Sequence, residues 1–322
     1  MIVDFSAHLL PREAVGEILE TRGFYGPDRR RFELPYPPQN ADPKVRLGLM
    51  DKYGIDMELL SQTAPVLLGF GPATAAKICR LSNDAISDMC EKHPSRFAGA
   101  AIVSLLDVGT ALDELDRTVG GLGFKCVTIA TNQKGRGLDS RKFFPFYRKV
   151  AKYDVPIFLH PTHWGGYPPV GMKKGWRMMQ IFGWPFDTTQ AVWRLIFGGV
   201  LDEFPSLKLV THHLGAMFPY FSERVSRNVK SFLQEGLKKP YVDYWSQIYG
   251  DTALDGTTAA YPCGFSYFGR ERTLFGTDYP FGPEAGEGFM RDNLTGVRAM
   301  SIPEEDKRMI LGANARKLLK LR

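Results

Sequence analysis

Four polar side chains lie where a short apolar run of the sequence meets a loop, and their types are those that bind metal ions. They are His8, His160, His213 and Asp278, at the ends of the runs 1–8, 155–160, 207–213 and 273–278. Neutral imidazole nitrogens together with a carboxylate suit Zn²⁺, and also Mn²⁺ or Fe²⁺. Three such ligands would leave one coordination position open for water or a substrate. The pattern therefore predicts a metal-type active site assembled from distant parts of the chain.

These four runs belong to a set of eight apolar segments, each typical of a buried β-strand. The segments are 1–8, 55–61, 97–104, 124–130, 155–160, 207–213, 247–252 and 273–278. Between several of them the apolar period changes to that of a helix, as with Ile78, Ala85 and Met89. This alternation indicates parallel strands joined by crossover helices. We predict an α/β fold, a single (β/α)₈ TIM barrel formed by residues 1–322 as one domain, with its ligands at the carboxyl end of the sheet.

Length and composition are compatible with this architecture. A barrel typically needs roughly 250 residues, and because the chain has 322, the excess is expected in loops. Apolar residues make up 44% and charged residues 24%, a balance that argues against a disordered chain. The net charge of +6 could steer a carboxylate substrate or simply reflect a solvated surface. Without a basic stripe or motif it gives little support for a nucleic-acid partner.

Cysteine spacing and hydropathy indicate the compartment. The four cysteines form no Cys-x-x-Cys pair, and the first apolar stretch contains Asp4 and no basic leader. No apolar run approaches the roughly 18 residues of a membrane span. We therefore expect a reduced, cytoplasmic protein without structural disulfides, a signal peptide or a membrane partner.

Two connections are longer and richer in aromatic residues, Gly and Pro than simple turns require. They span roughly 22–44, after the first strand, and 161–187, after the fifth. Both follow the carboxyl end of a strand, so both are expected to overhang the mouth of the barrel. Aromatic residues of the second, including Trp164, could line a pocket for a flat apolar substrate. Alternatively they could pack against each other or against a second subunit.

Several motifs extend from the first strand to the last helix. They are Asp4-Phe5-Ser6-Ala7-His8-Leu9-Leu10-Pro11, Phe158-Leu159-His160-Pro161, His213 followed by Phe218-Pro219, Leu274-Phe275-Gly276-Thr277-Asp278-Tyr279-Pro280-Phe281, and Gly312-Ala313-Asn314-Ala315-Arg316. Together they resemble the amidohydrolase-related branch of the amidohydrolase superfamily. That branch includes aminocarboxymuconate semialdehyde decarboxylase, γ-resorcylate decarboxylase and related lyases and hydratases. The resemblance implies that His8, His160 and Asp278 bind one divalent metal ion, and that His213 is the acid/base residue beside it, with Asp278 also catalytic.

One position departs from this resemblance. A His or an acidic residue is expected two positions before His8, where the chain has Ser6. Asp4 would share a strand face with Ser6 and His8, but it would lie about 6.6 Å farther down the strand and is not expected to substitute. His163, three residues after His160, and Ser6 itself are the candidate additional ligands. The site could bind metal through three residues, bind it weakly or have lost it.

His212 and His213 are adjacent on one strand, so only one of them is expected to face the barrel interior. The spacing to Phe218-Pro219 favours His213, and His212 is then expected to face the helical layer or to lie behind the ligands. Asp251 lies in the seventh segment and could face the mouth, but we leave it out of the predicted site.

We expect a metal-dependent, non-oxidative decarboxylase of a small aromatic or unsaturated carboxylic acid. The metal, Zn²⁺ first and Mn²⁺ or Fe²⁺ as alternatives, would act as a Lewis acid without an organic cofactor. A proton from His213 or metal-bound water would reach the carbon that bears the carboxylate. The arginines that could pair with that carboxylate, because a guanidinium binds it bidentately, are Arg29, Arg30, Arg31 and Arg46. We also expect a homodimer or higher homo-oligomer.

Two alternatives remain open. A hydrolase or hydratase would use the same ligands, because the metal would activate water for attack on a carbonyl or a conjugated alkene. The ligand set therefore cannot decide between these reactions. The second alternative is a non-catalytic paralogue in which Ser6 marks a degenerate site.

Overall fold

A computed structural model describes residues 1–20, 42–162, 177–256 and 259–321 of the chain. Eight strands coincide with the eight apolar segments and form one sheet in which neighbours are parallel. They are Val3–His8 (β1), Met57–Ser61 (β2), Phe97–Ile102 (β3), Cys126–Ala130 (β4), Ile157–His160 (β7), Leu209–Thr211 (β8), Ile248–Asp251 (β9) and Thr273–Leu274 (β10). A small antiparallel hairpin, Asn132–Gln133 (β5) with Arg136–Gly137 (β6), follows β4. The predicted (β/α)₈ barrel is confirmed.

The sheet closes on itself through its first and last strands. The strand order is β1-β2-β3-β4-β7-β8-β9-β10. The backbone N–H of Phe5 donates to the carbonyl of Phe275 at 2.9 Å, and the N–H of Asp278 donates to the carbonyl of Ser6 at 2.9 Å. Because these bonds join β1 to the residues that continue β10, the carboxyl ends of all eight strands surround one mouth.

Helices alternate with the strands along the described ranges. The α-helices are Arg12–Glu20 (α1), Pro43–Tyr53 (α2), Pro72–Lys92 (α3), Val108–Leu115 (α4), Phe144–Tyr153 (α5), Trp184–Phe197 (α6), Val200–Glu203 (α7), Ser222–Asn228 (α8), Ala260–Phe268 (α9), Glu287–Arg298 (α10), Glu304–Arg308 (α11) and Asn314–Leu319 (α12). Shorter 3₁₀ and π turns flank several of them. None of the helices in these ranges is both long and apolar enough to cross a membrane.

The second long connection is shorter than predicted. The π turn Met179–Gly183 and the first residues of α6 occupy its carboxyl end, so this part is helical rather than a loop. Residues 163–176 of this connection, and residues 22–41 of the first, lie outside the described residues.

Apolar side chains fill the interior of the barrel below its mouth. Phe5 and Phe158 meet edge to face with ring centroids 5.6 Å apart, although β1 and β7 lie opposite each other in the closed sheet. Leu59, Val210 and Leu274 belong to the same buried cluster. The interior is therefore a packed core, and polar side chains can converge only near the carboxyl end of the strands.

A β-bulge in β1 changes which of its side chains face the interior. In the register with β2, Asp4 is opposite Glu58 but His8 is opposite Ser61, so β1 carries one extra residue between these pairs. Regular alternation would point Phe5 and His8 to opposite faces. The extra residue lets both point inward, Phe5 into the core and His8 into the mouth.

The expectation that Asp4, Ser6 and His8 share one face is wrong, because the bulge interrupts the alternation on which it rested. Asp4 lies beside Glu58 on the outer side of the sheet, where its carboxylate accepts hydrogen bonds from the backbone N–H of Thr277, at 3.0 Å, and from the Thr277 hydroxyl. Burial, reinforced by the charge of Glu58, raises the pKa of Asp4 to about 7. Asp4 is therefore part of the closure between β1 and β10 rather than of the mouth.

Arg46 lies on α2 and is buried beneath the mouth rather than exposed to a substrate. Its Nη1 donates to Glu58 Oε2 at 2.6 Å, and its Nη2 donates to the backbone carbonyl of His8. The guanidinium also stacks over the Tyr279 ring, 4.6 Å from its centroid. Because these contacts commit the guanidinium, the predicted role of Arg46 as a ligand of the substrate carboxylate is corrected to a structural one.

We expect Arg46→Met to lower the free energy of unfolding by about 3–5 kcal/mol, because it leaves Glu58 buried without its partner. Denaturant unfolding of the full chain measures the change. The control is Arg148→Met at an exposed position, where the loss should stay below about 1 kcal/mol. The double variant Arg46→Met/Glu58→Met should recover most of the stability, and a loss in Arg46→Met no larger than in the control would contradict the buried pair.

Candidate metal centre

Two of the predicted ligands, His8 and His160, have their Nδ1 atoms engaged and their Nε2 atoms left for the mouth. Nδ1 of His8 lies 3.0 Å from Ser61 Oγ, and Nδ1 of His160 donates to the carbonyl of Pro161 at 2.9 Å. The two ring centroids are 5.1 Å apart. Burial, followed by the neighbouring His8, lowers the pKa of His160 well below its ordinary value, so its ring is neutral. A neutral imidazole with a bonded Nδ1–H presents a lone pair on Nε2, which is the arrangement that metal ligands use.

Asp278 directs its carboxylate to the same place. Its φ of 63° lies in the left-handed region, which Asp tolerates better than most residues. Oδ1 of Asp278 lies 3.0 Å from His8 Nε2. Burial alone would raise the pKa of Asp278, but hydrogen bonds with His212 and His8 hold it well below its ordinary value. The carboxylate is therefore ionised.

His212 points into the barrel, and the expectation that it faces the helical layer is wrong. Its Nε2 lies 3.3 Å from Asp278 Oδ1, and its Nδ1 lies 2.6 Å from Asp251 Oδ2. One potential ligand atom from each of His8, His160 and His212 lies within 4.8 Å of the other two. Burial would lower the pKa of His212, but the carboxylates of Asp251 and Asp278 raise it to about 10. A metal ion that used this nitrogen would have to displace its proton.

His213 also reaches the mouth. β8 ends at Thr211, and His213 adopts a φ of 55°, so strand alternation no longer governs the pair. The His213 ring centroid lies 3.9 Å from that of His212, and the ring also stacks on Trp184, with centroids 6.5 Å apart and an interplanar angle of 15°. His212, His213 and Asp278 form a second group of potential ligand atoms within 4.8 Å. The strand ends before both histidines, so both reach the mouth, and the expectation that only one of them would face inward is wrong.

The environment of His213 keeps its ring neutral. Burial, followed by the charge of His212, lowers the pKa of His213 to about 3. Its Nδ1 makes no hydrogen bond with any residue that the structure describes. An anionic group bound nearby would raise this pKa, since an opposite charge favours the protonated ring. His213 is thus suited to take up a proton and pass it on when a substrate binds.

Asp251, which sequence analysis left out, orients both histidines. It is fully buried, and its Oδ1 accepts the backbone N–H of His213 at 3.0 Å and that of Ala253 at 3.2 Å. Its Oδ2 bonds His212. The available signal was its position at the end of an apolar segment, the same signal that identified Asp278.

A second buried carboxylate, Asp187, fixes the rim of the mouth. It accepts the backbone N–H of Thr162, just after β7, at 3.0 Å, and a hydrogen bond from the Thr131 hydroxyl, just after β4. Burial raises the pKa of Asp187. Asp187 therefore links two neighbouring loops next to the site, and no motif pointed to it.

Arg177 is an exposed cation at the same rim. Burial and the charge of Asp278 raise the pKa of Asp255, whereas His212 and Arg177 lower it. Arg177 and the predicted ligand Asp278 are therefore both close enough to Asp255 to act on its charge.

The remaining predicted site residues divide into two groups. Those outside the described residues, whose roles stay predictions, are Arg29, Arg30, Arg31, His163 and Trp164. Ser6 is described and is fully buried, and its Oγ makes no hydrogen bond with any described residue. It packs beside Gly276, where a side chain on Gly276 would collide with Ser6.

Comparison with known proteins identifies the family. A family model described as "Amidohydrolase" matches residues 3–321. The chain belongs to the amidohydrolase family. A gamma-resorcylate decarboxylase from a Rhizobium species is 31% identical over 298 residues, covering 86% of each chain.

Two solved structures extend the comparison. A 2,6-dihydroxybenzoate decarboxylase complexed with 2,6-dihydroxybenzoate superimposes with a TM-score of 0.83 at 28% identity, over 99% of each chain. A 5-carboxyvanillate decarboxylase from Novosphingobium aromaticivorans, complexed with manganese and 4-hydroxy-3-methoxy-5-nitrobenzoic acid, superimposes with a TM-score of 0.86 at 25% identity, over 100% of this chain and 96% of the other. The resemblance drawn from the motifs is confirmed.

The residues at the mouth fit the divalent metal ion that this family membership implies. Three imidazoles, His8, His160 and His212, have an engaged Nδ1, and the ionised Asp278 lies within 3.3 Å of two of them. Nitrogen and carboxylate donors at this density suit Zn²⁺ or Mn²⁺.

We expect the purified protein to hold about one divalent metal ion per chain and His160→Ala to lose most of it, because a ligand is removed. Elemental analysis after growth with Zn²⁺, Mn²⁺ or Fe²⁺ measures the content. His93→Ala is the control, since His93 caps the carboxyl end of α3 and meets Phe97 edge to face, remote in sequence from the mouth residues. Metal absent from wild-type protein under every growth condition would contradict the assignment.

Proposed function

We propose that this protein is a metal-dependent, non-oxidative decarboxylase of a small aromatic or unsaturated carboxylic acid. The observation that carries the proposal is the position of His213, a neutral imidazole beside His212 and Asp278 and next to the aromatic ring of Trp184. Proton delivery beside a metal is what this reaction requires. The decarboxylase names of the relatives favour it over hydrolysis or hydration with the same ligands.

In this proposal His8, His160 and Asp278 would hold the metal ion, which would supply a Lewis acid for the substrate when bound. The negative substrate raises the pKa of His213, which takes up a proton and delivers it to the carbon that bears the carboxylate. Asp278 stays ionised beside His213 and stabilises the transient imidazolium. The bond from that carbon to the carboxylate then breaks, CO₂ leaves, and its electron pair restores the unsaturated system.

Binding of the substrate involves the rim of the mouth. Trp184 offers a flat apolar surface in contact with His213, which suits a conjugated ring. Arg177 supplies a guanidinium for a carboxylate in place of the buried Arg46. Arg29 and Arg31 of the first long connection, and Trp164 of the second, stay in the proposal as further contacts.

The identity of the metal is a separate part of the proposal. We propose Zn²⁺ because imidazole-rich donor sets suit it, with Mn²⁺ as the alternative because a related decarboxylase was solved with manganese. Reconstitution of metal-free protein with each ion, followed by turnover measurements, distinguishes them.

We also propose the domain organisation, the location and the oligomeric state of the protein. We propose one domain over residues 1–322, which fits a family match from residue 3 to residue 321. A reducing, cytoplasmic location fits the four free cysteines. A homodimer or higher homo-oligomer would cover exposed aromatic side chains such as Tyr220 and Phe232.

The reaction class is tested in labelled water. After a screen of small aromatic and muconate-type acids for CO₂ release, any active substrate is turned over in D₂O and in H₂¹⁸O. We expect one deuterium on the product carbon and no ¹⁸O in the organic product, because a lyase protonates carbon and adds no water. Stoichiometric ¹⁸O in an organic product without CO₂ would instead support hydrolysis or hydration.

We expect His213→Asn to lower turnover by roughly 10² or more, the scale of losing a positioned acid or base. Metal content should match wild type, because the variant removes a proton carrier and not a proposed ligand. Turnover and elemental analysis of the same preparation measure both. Loss of the metal together with activity would assign His213 to the ligands instead.

A further inference from the structure

The adjacent histidines at the end of β8 occupy different positions relative to the ligand cluster. His212 belongs to both groups of potential ligand atoms, the one with His8 and His160 and the one with His213 and Asp278. We propose that His212 is the fourth protein ligand of the metal ion, in the place that Ser6 leaves open. This inference rests on the metal centre of the proposed function.

The geometry of His212 is that of a ligand. Its Nε2 is 3.3 Å from Asp278 Oδ1, close to the 3.0 Å that separates His8 Nε2 from the same oxygen. The His212 ring centroid is 5.5 Å from that of His160 and 5.8 Å from that of His8. Imidazoles of β1, of β7 and of the residue that follows β8 thus lie together, two of them against the Asp278 carboxylate, and this donor set suits one metal ion.

Asp251 holds the His212 ring in the orientation that metal binding requires. Its Oδ2 bonds Nδ1 of His212 at 2.6 Å, while its Oδ1 is fixed by two backbone N–H groups, those of His213 and Ala253. A carboxylate that receives the Nδ1–H of a histidine leaves Nε2 as the donor to a metal and is a recurring support of metal ligands. His8 and His160 have the same Nδ1 arrangement with Ser61 and Pro161.

Ser6 is a poor alternative. It lies in the bulged stretch of β1, where its buried Oγ packs beside Gly276. Its hydroxyl is also short and weakly acidic, whereas a ligand must shed its proton or be neutral and basic.

His213 is the other rival, and its surroundings separate it from the cluster. Its ring stacks on Trp184, and its grouping with Asp278 and His212 does not extend to His8 and His160 among the described residues. The two neighbouring histidines therefore have different roles: His212 binds the metal ion and His213 carries the proton.

The test counts ligands and measures metal affinity without using turnover. Full-length wild type and the variants His212→Gln, Ser6→Ala and His213→Asn are loaded with Zn²⁺, and X-ray absorption at the zinc edge counts the bound imidazoles. Chelator competition gives the metal Kd of each. The glutamine amide can still donate to Asp251, which protects the fold, and a thermal melt of the metal-free variant verifies it. His212→Ala is the second variant if glutamine itself binds the ion.

The expected result is three bound imidazoles in wild type, Ser6→Ala and His213→Asn, and two in His212→Gln. The Kd of His212→Gln or His212→Ala should rise by clearly more than about 10²-fold, beyond the 10- to 100-fold typical of losing a group that only supports a ligand. Wild-type affinity and imidazole count in both His212 variants would overturn the inference while leaving the metal centre intact. Wild-type protein that binds no Zn²⁺, Mn²⁺ or Fe²⁺ would overturn the proposed function as well.

Discussion

Hydrogen bonds between β1 and residues 275–279 join the two ends of the sheet, and they set the distance between His8 and Asp278. The N–H of Asp278 donates to the Ser6 carbonyl, and the N–H of His8 donates to the Tyr279 carbonyl at 2.6 Å. The buried Asp4 carboxylate adds two bonds to Thr277 on the outer side of the same closure. Without this closure His8 and Asp278, the first and last of the proposed ligands, would sit on opposite edges of an open sheet, and no metal ion could reach both.

Buried charges support the mouth from below. Arg46 connects the His8 carbonyl to Glu58, and Asp251 connects His212 to the backbone of His213. Buried ion pairs add little net stability, but they impose one geometry, because a displaced partner would be left charged in a low-dielectric interior. The ligand positions are therefore held by groups that never touch the substrate in the proposed mechanism.

The site places opposite demands on two neighbouring imidazoles. His212, between two carboxylates, has a pKa raised to about 10, whereas the half-buried His213, beside Trp184 and His212, has a pKa lowered to about 3. One ring therefore holds a proton that a metal ion would have to displace, and the other stays neutral until a negative group arrives. Adjacent residues can differ this much because a left-handed backbone at His213 turns the two rings into different surroundings.

The sequence by itself determined the eight strands, the barrel and the positions of His8, His160 and Asp278, because apolar runs and their end residues are local features that survive folding. It misjudged Asp4, because one extra residue in β1 breaks an alternation that only the register with β2 reveals. The prediction for Arg46 was wrong, because the burial of this side chain on α2 depends on its ion pair with Glu58 on β2. The sequence misjudged His212 because the orientation of that ring is decided by Asp251 on the neighbouring β9 and by the backbone turn after Thr211. Tertiary structure decides these points because each depends on a partner that sequence spacing cannot locate.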